Sequence, residues 1–488
     1  MSNVERIELA PGLEISRLLT GLWQIADMER EGGTVDPEQA ARDMERYVDA
    51  GLTTFDMADH YGSSEIIAGA FDERRPGASQ LLTKWVPKPG PITLDLAREA
   101  VERALERMGR ARLDLLQFHA WNYADPSYLD GLYHLQTLKR EGLIAHLGVT
   151  NVDTAHLRLM LESGIEIASN QICYSLIDQR ARKGMTELCR EHGVRILAFG
   201  TLAGGFLTER WVDAPEPTAH ALGTWSQMKY KRFIDASGGW ERFQNLLRIL
   251  REISAGLGAS MANVATRAIL EAPAVGGVIV GARLGQRAHF EDNLKVFDFE
   301  LDAAARASLD AALAALEPIP GDCGDEYRKP PFLTASGDLS HHLETFPAPF
   351  PTCPGPDGRT LVLSGTEWED LAGFARAVRT GDRVLVSGTT ATHGTRRIGG
   401  DDPAAQATFC LDKIEGALQS LGARMEDVVR TRIYVSRPDI WEPVARAHGT
   451  RFAETRPANT LVSAQLIGDG YLVEMEAEAV VPSSSAAG

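Results

Sequence analysis

Cysteine is scarce in this chain, five in 488 residues, and the five are scattered at Cys173, Cys189, Cys323, Cys353 and Cys410. No two form a Cys-x-x-Cys pair. That pattern argues against a disulfide framework or a zinc knuckle. No metal site is expected, and reduced thiols in a cytoplasmic setting fit. No run of roughly eighteen apolar residues occurs, so no membrane-spanning helix is expected. The opening Met1-Ser2-Asn3-Val4-Glu5-Arg6 has no apolar signal core. Basic residues are outnumbered, 50 Lys and Arg against 67 Asp and Glu, giving a formal net charge of −17 at pH 7. No basic stripe interrupts that balance, which argues against nucleic acid or an anionic membrane as partner. Internal repeats are missing too, as is a Gly-x-Gly-x-x-Gly after the first apolar run.

What is present is enough chain for two or more domains, since one core rarely serves 488 residues. Short apolar runs alternate with helical patterns. Strands are predicted over 18–23, 52–56, 81–84, 113–119, 145–149, 166–171, 195–199 and 277–280. The helix over 37–50 has Asp36 as N-cap, Pro37 at its first position and Gly51 after its end. Further helices are predicted over 64–71, 93–108, 128–140, 153–161, 240–257, 260–270 and 286–294. Repeated βα units imply a parallel sheet. Eight of them fit a closed (β/α)8 TIM barrel better than the alternative, an open doubly wound sheet.

Residues 317–360 are crowded with proline, which cannot sustain helix or central strand, so a linker or extended arm is expected. Asp322 to Arg328 and His341-His342, inside it, read as solvated loop. After it, strands are predicted over 383–388, 428–435, 459–463 and 471–480. An amphipathic helix over 404–421 and another over 440–455 complete a smaller α+β domain. The expected division is 1–316 barrel, 317–360 arm, 361–482 second domain and 483–488 disordered tail.

Polar residues gather where barrel strands end: Asp56, Lys84, His119, Asn151 and Gln171. That rim is where such barrels build active sites. A phenol is a weak acid, with a pKa near ~10. A nearby cation that stabilises the phenolate makes it useful. Tyr61, Lys84 and Asp56 supply such a set, and His119 can orient a carbonyl. This chemistry needs a hydride source, hence a nicotinamide cofactor. Asn151 and Gln171 can hydrogen-bond a carboxamide.

These residues stand in Phe55-Asp56-Met57-Ala58-Asp59-His60-Tyr61-Gly62, Leu82-Thr83-Lys84-Trp85, Leu116-Gln117-Phe118-His119, Gly148-Val149-Thr150-Asn151 and Ala168-Ser169-Asn170-Gln171. As an ordered set over residues 6–315 they resemble the aldo-keto reductases. The resemblance implies Tyr61 as general acid/base, Lys84 and Asp56 as its tuning pair, and His119 as substrate-orienting residue. His60 is then a loop neighbour. It assigns Thr150, Asn151 and Gln171 to the nicotinamide amide and Phe199 to stacking on the ring, and it places Trp23, Gly200, Leu202 and Gly204 around the cofactor. Arg283, Arg287 and Asn293, after the last strand, match the segment that clamps a 2′-phosphate, so NADPH is expected, with NADH as the alternative. The loops 121–128 and 206–238 give aromatic hints for the substrate side: Trp121, Trp211, Trp225 and Tyr230.

Residues 365–481 resemble the Rid family (also called YjgF/YER057c/UK114). The resemblance rests on Gly381-Asp382-Arg383-Val384-Leu385-Val386-Ser387-Gly388, Asp427-Val428-Val429-Arg430-Thr431-Arg432-Ile433-Tyr434-Val435, Arg456-Pro457-Ala458 and Val473-Glu474-Met475-Glu476-Ala477. It implies a chorismate mutase-like fold, imine and enamine hydrolysis and a trimer. Glu474 matches the glutamate that helps activate water. Asn459 stands where active members carry a carboxylate-binding arginine, and asparagine cannot form a bidentate ion pair. Deamination is therefore disfavoured against a role in assembly. The expected protein is an NAD(P)H-dependent oxidoreductase interconverting an aldehyde or ketone and an alcohol, a homo-oligomer acting on a small molecule. The other class is a weakly catalytic or non-catalytic cofactor-binding assembly protein, trimerised by the Rid-like domain.

Overall fold

The structure is a computed structural model, and it describes residues 4–29, 32–284, 289–334 and 346–482. Eight parallel strands close into a barrel: Leu18–Gly21, Thr54–Asp56, Gln80–Trp85, Leu113–His119, Ile144–Thr150, Ser169–Cys173, Arg195–Phe199 and Val275–Gly281. Helices alternate with most of the strands, and local signals set their ends. Asp36 caps Pro37–Asp49 by accepting from Glu38 and Gln39 amides. Thr93 caps Leu94–Met108, and Gly109 ends that helix in the left-handed region at φ +64°.

One element escaped the periodicity. Arg6–Ala10 and Leu13–Ser16 form an antiparallel hairpin before the barrel begins. Its Leu9, Leu13 and Ile15 pack with Leu19, Leu82, Leu115 and Leu197, plugging the barrel interior with apolar side chains. The run predicted as one strand over 18–23 splits, because Trp23 opens a short helix, Trp23–Glu29. The prediction over 286–294 falls partly on residues outside those described; Phe290–Asn293 is helical.

After the barrel the chain folds back across its mouth. Asp322 to Arg328 is not solvated loop: Cys323, Asp325 and Glu326 are buried, and Asp325–Arg328 is a short helix. The physical reason is Arg180. Buried at the barrel rim, it meets Asp178 at 2.7 Å and Glu326 at 2.8 Å, so the returning segment supplies one of its counter-charges. His341-His342 and the tail 483–488 lie outside the described residues.

The second sheet has seven strands in the order Thr352–Pro354, Thr360–Val362, Ala377–Thr380, Arg383–Thr390, Val473–Val480, Val428–Val435, Ala458–Ser463. Helices Pro403–Ser420 and Trp441–Arg451 pack with each other in this domain. Pro403–Ser420 is not a one-faced amphipathic helix, since Ala405 to Ile414 and Gly416 to Leu418 are all buried. It lies between its own sheet and the barrel helix Thr154–Glu162. A Cβ on Gly416 would come within 2.3 Å of the Ala124 carbonyl, so that helix and the barrel loop touch backbone to backbone.

Candidate active site

Strand register assembles the rim. Gly21 pairs with Asp56, Asp56 with Leu82, Lys84 with Gln117, His119 with Thr150 and Thr150 with Gln171. Parallel strands in this register bring the polar ends to one mouth. The cavity there has a volume of about 360 Å3.

At its floor Lys84 Nζ donates to both Asp56 oxygens, at 2.8 and 2.7 Å, and to the Met57 carbonyl at 2.8 Å. Burial lowers the Lys84 pKa, and the Asp56 carboxylate offsets this only in part. The ammonium lies 4.7 Å from the centroid of the Tyr61 ring. Tyr61 is held by a tight turn, its amide donating to the Ala58 carbonyl at 3.1 Å. The next residue, Gly62, sits at φ +54°, in the left-handed region that favours glycine, with the Glu29 carboxylate close against it. That carboxylate accepts from the Ser63 amide at 2.9 Å and pins the loop. Trp23 meets the Tyr61 ring edge-on at 4.9 Å.

His119 Nδ1 lies 3.3 Å from the Thr150 carbonyl, and its ring meets Trp121 edge-on at 4.3 Å. Asn151 takes a left-handed conformation at φ +57°, with its amide donating to the Gln171 carbonyl at 2.9 Å. Its Oδ1 is buried without a hydrogen-bond partner among the described residues, as is Gln24 Oε1; both residues line the cavity. Two orphan acceptors of this kind fit the amino group of a carboxamide. Phe199, Gly200, Leu202 and Gly204 line the same cavity, giving a flat ring and a loop of bare backbone. The residues present therefore fit a nicotinamide.

Gln171 lines the cavity as well. Its Nε2 donates to Asp56 Oδ1 at 2.7 Å and to Gln117 Oε1 at 3.1 Å, so the amide group braces the Asp56–Lys84 pair. Arg283 and Asn293 stand outside the cavity lining, and Arg283 pairs with Asp27 at 2.8 Å. Arg287 lies outside the described residues. His60 is more than a neighbour: it lines the cavity, with Nδ1 2.8 Å from Asp59. Trp121, Trp225 and Tyr230 line it as well, whereas Trp211 packs in the core against Phe206 and Trp240.

Sequence reasoning missed Lys229 and Tyr327, which also line this cavity. Lys229 sits in the helix Trp225–Ala236, and Tyr327 sits in the proline-rich arm. Neither carries a local signal.

In the second domain Asn459 pairs with Thr431, donating to its hydroxyl at 2.9 Å, while Glu474 pairs with Tyr434. Thr431 and Tyr434 are three residues apart on one strand, so the two side chains emerge on opposite faces. Within one chain they do not share a pocket. Burial raises the Glu474 pKa, against the pull of Arg376. Among the described residues no group of His, Cys, Asp or Glu could hold a metal ion, and no helix is long and apolar enough to cross a membrane.

Comparison with known proteins follows the same division. The model of the aldo/keto reductase family matches residues 17–314, and that described as Endoribonuclease L-PSP matches 365–481. An uncharacterized protein of Streptomyces coelicolor is 40% identical over 119 residues, 24% of this chain and 89% of that protein. An NADH-specific methylglyoxal reductase of Escherichia coli is 27% identical over 218 residues, 40% of this chain and 66% of that protein. Among solved structures, a glycerol dehydrogenase from Gluconobacter oxydans is 22% identical with a TM-score of 0.54, covering 66% of this chain and 98% of that one, and shares the fold.

Proposed function

Since this chain belongs to the aldo/keto reductase family through residues 17–314, and is thereby an NAD(P)-dependent oxidoreductase, we propose that its barrel interconverts an aldehyde or ketone and an alcohol, with Tyr61 carrying the proton. The observation that carries this reading is the Asp56–Lys84–Tyr61 arrangement, a buried ammonium fixed by a carboxylate at 2.7 Å and set 4.7 Å from a phenol ring.

Tyr61 donates its proton to the carbonyl oxygen as charge develops there. The negative charge left on the phenol is stabilised by the Lys84 ammonium, 4.7 Å from the ring centroid, which Asp56 holds in place with Gln171 behind it. His119, fixed by the Thr150 carbonyl and the edge of Trp121, orients the substrate oxygen. Trp23 and Trp225, 5.6 Å apart, line the cavity beside it. When bound, a nicotinamide supplies the hydride. Asn151 Oδ1 and Gln24 Oε1 would accept from its amide, and Phe199 would stack on its ring. The preference for NADPH over NADH rests on Arg283 and Arg287, two guanidinium groups after the last barrel strand.

The second domain acts in assembly rather than as an imine deaminase in this reading, because Asn459 cannot grip a carboxylate as arginine does. The sheet presents Leu385 and Val462 on the face it shares with Glu474, 39% and 42% exposed, which supports a homo-oligomer built on that face, a trimer. The five cysteines, all free thiols, support a cytoplasmic setting. Stopped-flow oxidation of NADPH and NADH across an aldehyde and ketone panel tests the proposal. Turnover of a carbonyl that is lost in Tyr61→Phe supports it; equal and negligible rates in both proteins reject it in favour of a cofactor-binding assembly protein.

A further inference from the structure

The ladder between the strands Leu113–His119 and Ile144–Thr150 ends at the pair His119 and Thr150. The next residues are Ala120 and Asn151, and from there the two backbones run into separate rim loops. One side chain spans them. Arg328 donates to the Ala120 carbonyl through Nε, at 3.1 Å, and through Nη2. Its Nη1 donates to the Asn151 carbonyl at 2.5 Å and to the Gly324 carbonyl of its own segment at 3.1 Å. Every hydrogen bond that Arg328 makes among the described residues thus goes to a backbone carbonyl. A planar fork of donors fixes the spacing of the groups it holds. Arg328 lies between the two family matches, which end at 314 and resume at 365.

The spacing matters because of what stands beside each carbonyl. Ala120 follows His119 directly. Asn151 has φ +57°, a region unfavourable to a residue with a Cβ. Its amide is held by the Gln171 carbonyl at 2.9 Å and its carbonyl by Arg328, so the backbone is pinned on both sides of its Cα. Pinned this way, Asn151 keeps its buried, orphan Oδ1 on the cavity wall. Once released, the backbone can relax toward the common regions of φ and ψ, and Oδ1 moves with it.

Arg328 has a built seat. Its guanidinium lies 4.4 Å from the centroid of the Tyr123 ring. The arm before it is anchored without its help: the Asp322 carboxylate accepts from the Thr154 amide at 2.9 Å, and Glu326 meets buried Arg180 at 2.8 Å. Gly324, at φ +81°, passes so close that a Cβ there would lie 2.0 Å from the Asn151 carbonyl oxygen.

We propose that Arg328 is a positioning residue of the reductase site: by holding the Ala120 and Asn151 carbonyls it sets His119 toward the substrate carbonyl and Asn151 Oδ1 toward the nicotinamide amide. The inference rests on the reductase reading above and adds to it a residue that acts through the backbone, from outside both matched segments.

The full chain is titrated calorimetrically with NADPH and with ADP-ribose 2′-phosphate, which lacks the nicotinamide. Arg328→Met keeps the anchored arm and loses the fork. It should raise the NADPH dissociation constant roughly tenfold or more and leave that of ADP-ribose 2′-phosphate unchanged. With a carbonyl that the unaltered protein reduces, kcat should fall roughly 10- to 100-fold as well, because His119 and the nicotinamide are misplaced. Arg328→Lys, which keeps the charge and can reach one carbonyl, should recover part of both losses. Gly324→Ala leaves Arg328 in place and presses on the same Asn151 carbonyl, so it should show the same selective loss. An NADPH dissociation constant unchanged in either Arg328→Met or Gly324→Ala overturns the inference. An equal loss for the two ligands overturns it too, since the arginine would then support the fold alone. The selective loss, in a chain whose unaltered form turns over no carbonyl, supports the role of Arg328 and counts instead against the reductase reading.

Discussion

His156 of the barrel stands between two carboxylates, and the second belongs to the other domain: Nε2 lies 3.0 Å from Asp412, while Nδ1 lies 2.8 Å from Asp153. Tyr123 stacks on the imidazole at 3.5 Å, and Arg451 closes on Asp412 from behind. Burial alone would lower the His156 pKa; the two carboxylates outweigh it and hold it up at about 9 from an ordinary 6.5. Asp153, which burial would raise, is held low by the same imidazolium.

The sign of the pH dependence follows. A histidine whose folded pKa is raised contributes stability that is full below its unfolded pKa, near 6.5, and is lost as pH rises through about 9. The size is about 3 kcal/mol. Thermal unfolding between those limits should show the melting temperature of the unaltered protein falling more steeply with pH than that of His156→Gln. Parallel curves would remove this pair from the interface energetics.

Tyr61→Phe keeps the ring against Trp23 and loses only the proton. Turnover should fall roughly 100- to 10,000-fold, with the NADPH dissociation constant nearly unchanged. Single-turnover kinetics beside fluorescence titration checks both halves.

Lys84→Met leaves the Asp56 carboxylate buried without its counter-charge. The loss should reach about 3–5 kcal/mol of stability, together with most of the activity. The double change Lys84→Met with Asp56→Leu should recover stability but not turnover. Denaturation and rate measurements on the same samples separate the two effects.

Arg283 now pairs with Asp27. If its guanidinium turns to a 2′-phosphate, Arg283→Ala should weaken NADPH binding by roughly tenfold or more and NADH binding far less. Equal losses for the two cofactors would take Arg283 out of the clamp.

Changing Leu385 to Asp on the uncovered sheet face should shift the molecule to a smaller species by analytical ultracentrifugation while barrel turnover persists. An unchanged sedimentation pattern would place the assembly surface elsewhere.

Most of the barrel was legible because each strand–helix unit carries its own punctuation: Asp36, Pro37 and Gly51 around one helix, Thr93 and Gly109 around another. The floor of the site was legible for a related reason. Asp56, Lys84, His119 and Asn151 each sit at a strand end, and parallel register alone brings strand ends together. Lys229 and Tyr327 were not legible, because their positions depend on long-range ties: a helix laid over Phe199 and an arm drawn in by Arg180. The hairpin before the barrel was hidden in the same way, since its short strands gain meaning only from the interior they plug. The helix Pro403–Ser420 reads as amphipathic from sequence, yet the charged Asp412 and Lys413 within it are buried. In the folded chain Asp412 finds His156 and Arg451, and Lys413 donates to the Thr392 carbonyl at 2.8 Å.

The arm that crosses the barrel mouth changes what it means to cut this protein in two. A boundary drawn by composition falls at residue 316, and a barrel severed there would keep Asp56, Tyr61, Lys84 and His119 yet lose Tyr327 and the Arg328 tie to Asn151. Such a half-protein would be a reductase with one wall taken away, open to solvent beside its own histidine. The junction between the two modules is thus not a tether: the chain can be divided there only by dismantling a working part of the first module.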